Sequence, residues 1–418
     1  MRKFGSKSLY DYAITVGTRG FGRLFALIIT IIIARSLGTE DFGMYSLFFG
    51  IFIVIVQAEA GVNIAHVRFS KLGVASKAIV LRLSLLSQTF IVLFLTIIGW
   101  PLSLLLAQTI GIESLSVPYI GFVASGLLGL FGIWFGIFQA DGKFARLGIF
   151  SLLFNLILMA YIGGAYILDI KQDLTDVLYS YLIISMALGF VSLIILWNQS
   201  SPTNDNKLMR DYYKMIVMNM FVTMFYFLYR YIDVYFLKYY ADLATVGIYS
   251  AAMKTSMILN ILTGSLTTIL LPKAVEAITS KDKIKTYVKK SYALSALISV
   301  CFIIFYFLSP FILPLLFGEE YSEASNILQW LVVGWIVNTL YIPVSQVFYA
   351  LNKVAWRIAI EFIKLIFAVL FFIILIPEYG ALGAAYALLI SISITLLIAS
   401  VIATILTRNH LREIKTFN

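Results

Sequence analysis

Residues 292–316 read YALSALISVCFIIFYFLSPFILPLL, with no charge from end to end, between Lys289-Lys290 and Gly318-Glu319-Glu320. About 20 mostly apolar residues carry a helix across a ~30 Å hydrocarbon core, so this stretch is long enough to span a bilayer. The rest of the chain repeats it. Comparable runs occupy 13–35, 42–65, 82–107, 117–139, 147–168, 177–197, 214–238, 246–271, 325–349, 358–376 and 381–406. Twelve spans are thus predicted, the third expected to break at Pro101. No alternating ten-residue pattern of a barrel strand occurs. The predicted fold is an all-α polytopic membrane protein.

Composition excludes the alternatives. The 418 residues are 61% hydrophobic, 15% aromatic and 12% charged, whereas a soluble chain carries about 25% charged residues. The single cysteine, Cys301, sits in an apolar run; a disulfide within the chain and a thiolate metal site are therefore not expected. Met1-Arg2-Lys3 looks like the start of a signal peptide. However, Arg19 and Arg23 interrupt the apolar stretch and no small-residue cleavage site follows, so the first helix is read as retained.

The net charge of +10 reports topology. With the spans alternating and the N-terminus placed inside, 23 of the 31 Lys and Arg fall on the inner side. Only Arg35, Lys171 and Lys238 fall outside, and Arg19, Arg23, Arg230, Lys254 and Lys364 lie within helices. This positive-inside bias puts both termini in the cytoplasm and requires no nucleic-acid partner.

The polar stretch Asn198-Gln199-Ser200-Ser201-Pro202-Thr203-Asn204-Asp205-Asn206 divides the chain. Residues 1–198 form an expected N-terminal six-helix bundle, 199–213 a cytoplasmic linker and 214–418 a C-terminal six-helix bundle. The lysine-rich segment 272–291 is expected to lie along the membrane surface as an amphipathic helix. Outer loops are about ten residues or shorter. The halves echo each other: Gly43-Met44-Tyr45-Ser46 returns as Gly247-Ile248-Tyr249-Ser250. Phe138-Gln139-Ala140-Asp141-Gly142-Lys143-Phe144-Ala145 returns as Phe348-Tyr349-Ala350-Leu351-Asn352-Lys353-Val354-Ala355. Six helices per half gives two parallel repeats, an arrangement that places a substrate cavity between rocking halves.

Several stretches carry a resemblance. The run Ala34-Arg35-Ser36-Leu37-Gly38-Thr39-Glu40-Asp41-Phe42-Gly43-Met44-Tyr45 looks like the first-loop signature of bacterial polysaccharide flippases. Arg230-Tyr231-Ile232-Asp233, with Val246-Gly247-Ile248-Tyr249, resembles their seventh and eighth helices. Phe317-Gly318-Glu319-Glu320-Tyr321 and Pro377-Glu378-Tyr379-Gly380-Ala381-Leu382-Gly383-Ala384-Ala385 resemble their later loops. These flippases belong to the multidrug/oligosaccharidyl-lipid/polysaccharide exporter superfamily. The resemblance implies translocation of an undecaprenyl-pyrophosphate-linked oligosaccharide, such as an O-antigen or other lipopolysaccharide or surface polysaccharide unit, from the cytoplasmic to the periplasmic face. It implies a phospholipid bilayer as setting, other polysaccharide-assembly membrane proteins as partners, and no enzyme activity.

Eight ionisable residues fall inside the spans: Arg19, Arg23, Glu59, Arg230, Asp233, Lys254, Glu361 and Lys364. A charge at the bilayer centre costs at least ~2.5–3.5 kcal/mol, so these side chains should face water or one another. On the seventh helix Asn219, Thr223, Tyr226, Arg230 and Asp233 recur at helical spacing. On the first, Tyr12, Thr15, Arg19, Arg23 and Thr30 do the same. The candidate pyrophosphate and glycan contacts are Arg19, Arg23, Tyr226, Arg230, Lys254 and Lys364, because guanidinium and ammonium groups converge well on phosphate. Glu59, Asp233 and Glu361 are candidates for coupling to Na⁺ or H⁺, or for compensating the cations; the membrane potential is a further energy source. Plain ion pairing competes with the substrate-binding reading, foremost for Glu361 and Lys364 three residues apart. The stripe Ser256, Asn260, Thr263 and Thr267, opposite Lys254, also reads as a helix-packing face. Pro310, Pro314 and Pro343 are expected to bend the ninth and tenth helices.

Other functions lack their residues. No phosphate-binding Gly-x-x-x-x-Gly-Lys-Ser/Thr occurs, since Gly136 to Gly142-Lys143-Phe144 has the wrong spacing. His66 and His410 form no metal cluster. A glycan polymerase or ligase needs a large outer loop. A cation-coupled multidrug exporter needs an acid-dominated cavity, and here five interior cations face three carboxylates. A flippase for the peptidoglycan precursor has two further helices.

Overall fold

The fold is that of a computed structural model, which describes residues 6–417 apart from 72, 74 and 113. Of residues 6–20, 23, 222, 225, 226, 268, 354 and 413–417 it describes the backbone. Helices α1 (Ser6–Ala58), α2 (Ala60–Lys71), α3 (Lys77–Ile110), α4 (Ser116–Asp141), α5 (Phe144–Ile167), α6 (Leu174–Trp197) and α7 (Asn206–Tyr240) belong to one compact unit, Met1–Tyr239. Helices α8 (Leu243–Ser256), α9 (Asn260–Ala277), α10 (Lys281–Phe317), α11 (Ala324–Ala350) and α12 (Val354–Phe417) belong to a second, Tyr240–Asn418. No strand occurs among the described residues. With no water in hydrocarbon to satisfy the backbone, a helix is the only open-ended element that can cross it. The all-α expectation holds, and the chain is a multi-pass membrane protein.

Among the described residues nine helical stretches are long and apolar enough to cross a bilayer. Two of these, Leu24–Lys71 and Ala355–Arg412, run 48 and 58 residues, about twice what one crossing needs. Each contains one glycine outside helical geometry, Gly38 at φ 74° and Gly380 at φ 55°. A side chain at positive φ is strained, so these glycines let a long helix fold back with almost no loop. The first-loop and Pro377 motifs are therefore sharp elbows in continuous helix.

Two expectations about breaks fail. Helix α3 continues through Pro101 to Ile110, where Gly111 caps it at φ 66°. The segment 272–291 holds no separate surface helix. Its first half ends α9, residues 278–280 turn, and its second half opens α10, where Ser280 Oγ accepts from Lys283 N (3.3 Å). The lysines thus decorate the ends of two spanning helices.

Apolar burial cannot hold helices together in lipid, so aromatic fit and interhelical hydrogen bonds must. In the first unit Tyr45 and Tyr181 join hydroxyls at 2.7 Å, and Phe48 and Phe52 meet the Tyr181 ring edge-on at 5.1 and 5.2 Å. Helix α7 packs into this unit. Tyr235 Oη donates to Leu47 O (2.7 Å), Tyr212 Oη bonds Ser84 Oγ (2.7 Å), and Tyr231 packs edge-on to Phe49. The polar stretch after α6 is fastened to α3: the Arg82 guanidinium stacks 3.4 Å from the Trp197 ring centre, and Ser201 N donates to Ala78 O (3.0 Å). The second unit is built around α11, against which α9, α10 and α12 pack.

Candidate functional site

Helix α7 carries the polar stripe seen in the sequence. Its early members turn to the backbone: Asn219 Nδ2 donates to Met215 O (2.8 Å) and Thr223 Oγ1 to Asn219 O (2.7 Å). Arg230 is half-buried, and Asp233 is fully buried with Oδ1 accepting from Val234 N (2.9 Å). The side chains of Arg19, Arg23 and Tyr226 lie outside the described residues.

Glu59 stands where the helix is interrupted, between the end of α1 and the start of α2. The interruption loosens the backbone, and Thr223 Oγ1 of α7 comes within 3.4 Å of Ala58 O. The Glu59 carboxylate is buried and accepts no hydrogen bond from a described residue. It points at Gly129 of α4 beside the Gln88 amide, and Gln88 Nε2 is bonded to Gly126 O (3.2 Å). A Cβ on Gly129 would overlap both Glu59 Oε2 and Gln88 Nε2. One and two turns further along α2, Asn63 faces Gly136 and His66 Nδ1 bonds Ser84 Oγ (2.8 Å). His66 is thus a satisfied interior histidine; no cluster of three His, Cys, Asp or Glu able to hold a metal occurs among the described residues. Gly129→Ala should displace the Glu59 carboxylate while leaving every titratable group in place. If Glu59 couples transport to an ion, this variant loses about tenfold or more in transport at normal abundance, read by surface-glycan staining, since displacing a functional group by about 1 Å can cost on the order of a hundredfold.

In the second unit the sequence pairs one acid with one cation, and the structure adds a second cation. Glu361 Oε2 binds Lys364 Nζ, while Oε1 receives Arg357 Nη2 (3.0 Å), Arg357 Nε (3.2 Å) and Tyr341 Oη (3.2 Å). The Arg357 guanidinium lies 5.6 and 5.4 Å from the Tyr341 and Tyr349 ring centres. Lys364 is 7% exposed. Arg357 stands just before the apolar run 358–376, where the sequence reads it as a loop cation; its place one turn before Glu361 on the same helix is the signal that it belongs to this cluster. Two cations thus share the Glu361 carboxylate.

Lys254 lies near the end of α8, its Nζ shielded from solvent. The Ser256, Asn260, Thr263 and Thr267 stripe is satisfied locally. Ser256 Oγ donates to Met253 O (2.7 Å), Thr263 Oγ1 to Asn260 O (3.2 Å) and Thr267 Oγ1 to Thr263 O (3.1 Å), with Ser256 and Thr263 buried. That fits a packing face. At the lysine-bearing end of the first unit, Asp141 takes Lys77 Nζ (2.6 Å) and Lys143 Nζ (2.7 Å). Beyond the apolar span, these two hydrogen bonds hold its carboxyl down at about 2. The clamp therefore persists over all physiological pH and ties α3 to the turn after α4.

Comparison with known proteins places this arrangement. A lipid II flippase, MurJ, in an inward closed conformation superimposes with a TM-score of 0.74 at 17% identity, covering 97% of this chain and 92% of that one. An inward-facing multidrug resistance transporter of the MATE family superimposes at 0.75 with 15% identity, over 94% and 96%. These are likenesses of fold. The Staphylococcus aureus capsular polysaccharide biosynthesis protein CapF is 31% identical over 150 residues, 35% of this chain and 38% of its own length. Residues 9–278 match the polysaccharide biosynthesis protein family, nearly two thirds of the sequence, and the chain belongs to that family.

Proposed function

We propose that the protein translocates a lipid-linked oligosaccharide, an undecaprenyl-pyrophosphate-bound unit of O-antigen or another surface polysaccharide, from the cytoplasmic to the periplasmic leaflet. The protein sits in the inner membrane with both termini cytoplasmic, and works by alternating access. The observation that carries the reading is the count of five cations against three carboxylates within the spans, together with Arg357, at the edge of its span, and Lys364 sharing the Glu361 carboxylate. Guanidinium and ammonium groups gathered around few carboxylates suit a pyrophosphate, which accepts paired charge-assisted hydrogen bonds from them. In this scheme Arg19 and Arg23 receive the headgroup, Arg230 and Lys254 hold it in the outward-facing state, and Lys364 with Tyr226 borders its path. Asp233 compensates the arginines. Glu59, buried beside a helix interruption, is the residue through which an ion gradient acts; broken helices mark coupling-ion sites in transporters.

The cation-coupled multidrug exporter has equal support from fold, since the MATE transporter superimposes as well as the flippase does. Charge favours the flippase. An exporter of cationic drugs requires the opposite sign.

Cells lacking the protein should accumulate lipid-linked oligosaccharide on the cytoplasmic face, measured by its accessibility to membrane-impermeant glycosidases in oriented vesicles. Accumulation of unpolymerised units on the outer face instead would mark a missing polymerase or ligase and overturn the reading.

A further inference from the structure

A groove of about 430 Å³ opens between the end of α9 and the first turns of α10, lined by none of the residues assigned to transport. Small-molecule sites run from ~300 to 1,000 Å³, so the space suits a headgroup. Three ammonium groups line it, Lys273 from α9 with Lys283 and Lys290 from α10. Glu276 and Asp282 share the lining. Even so, among the described residues no ion pair joins either acid to these lysines; Lys283 Nζ reaches Thr279 Oγ1 instead (3.2 Å). Three cations against two acids leave the groove with a net positive charge. The floor is fixed, because Tyr287 is buried and its hydroxyl donates to Pro343 O of α11 (2.9 Å).

The groove is also graded. Helix α9 runs toward the lysine-rich boundary and α10 runs away from it, so Leu270 and Leu294 close the groove on the membrane side of the lysines. On the membrane side of Lys273 and Lys290 the two helices expose Leu271 and Leu297. Ammonium groups at the boundary with apolar surface just beneath are the polarity order of a lipid. A soluble phosphate would leave the leucines without a partner.

We propose that this groove binds the headgroup of an anionic glycerophospholipid, its phosphate held by Lys273, Lys283 and Lys290 and its chains leaving past Leu270 and Leu294. The proposal does not depend on what the protein transports. Basic grooves between spanning helices at a membrane boundary hold such headgroups, and each lysine there strengthens binding about fivefold.

The test uses the purified full-length protein with phosphatidylglycerol and phosphatidylcholine as probes, retained lipid being counted by native mass spectrometry. Wild type is expected to keep phosphatidylglycerol and shed phosphatidylcholine. The variant Lys273→Gln, Lys283→Gln, Lys290→Gln should weaken phosphatidylglycerol on the order of a hundredfold. A matched variant, Lys281→Gln, Lys285→Gln, Lys289→Gln, removes the same charge outside the groove and should bind within about twofold of wild type. Equal losses in both variants would mean diffuse attraction and overturn the site. Displacement of the lipid by millimolar inorganic pyrophosphate would overturn the lipid assignment. Should the groove variant unfold, Lys290→Gln alone carries the test, with about a fivefold loss expected and no loss overturning it.

Discussion

An Arg230→Ala chain is expected to reach the membrane at wild-type abundance and to leave the cell without surface polysaccharide. Arg230 lies half-buried on α7, in the same unit as the interrupted helix at Glu59. A guanidinium gives phosphate two parallel charge-assisted hydrogen bonds, each worth about 1.5–3 kcal/mol. Losing both removes at least ~3 kcal/mol, more than a hundredfold in affinity. Arg230→Lys keeps the charge and loses the fork, so an intermediate phenotype is expected. Arg23→Ala should behave as Arg230→Ala does. The readouts are surface-glycan staining and membrane immunoblotting; normal glycan from both alanine variants sinks the pyrophosphate route.

Glu361→Ala should be the most damaging single change to stability in the second unit. The carboxylate is the shared partner of Arg357, Lys364 and the Tyr341 hydroxyl. Its removal takes away the counter-charge that Arg357 and Lys364 share, and breaking a buried ion pair costs about 3–5 kcal/mol. Glu361→Gln restores acceptor geometry but not the charge and should recover only part. The double variant Glu361→Gln, Lys364→Met removes one charge of each sign, keeps the acceptor for Arg357, and should lie closer to wild type than Glu361→Ala. Thermal unfolding in detergent measures all three. A Glu361→Ala protein melting with wild type would show that the cluster is solvated and carries no structural charge balance.

The spans were legible because lipid leaves the sequence little freedom: a crossing helix must be apolar, long and uninterrupted. Breaks were harder to read. Pro101 looks like a stop, yet α3 passes through it, while the motifs around Gly38 and Gly380 look like loops and are single-residue elbows. Both errors have one cause. The sequence shows which residue disfavours a helix locally, and the cost of unpaired backbone in hydrocarbon overrides that preference. The packing of α7 with the helices before it was invisible too, since it depends on Tyr212, Tyr231 and Tyr235 finding partners far away in the chain. Of the candidate site, the ionisable residues were identifiable from their cost in lipid, and Glu361 with Lys364 from their spacing. Arg357 was missed because a charge just outside an apolar run reads as topology. Gln88 and Gly129 were missed because neither carries a charge, and only the fold brings them to Glu59.

The elbows at Gly38 and Gly380 have a consequence for what an outside agent can reach. Two connections expected on the outer side shrink to one residue each, and the other described ones, 111–115, 168–173, 241–242 and 318–323, hold six residues at most. A protease needs several residues of extended strand to grip, and an antibody needs a protruding epitope. Hairpins this tight offer neither, so proteolysis of the intact protein should be confined to its longer connections.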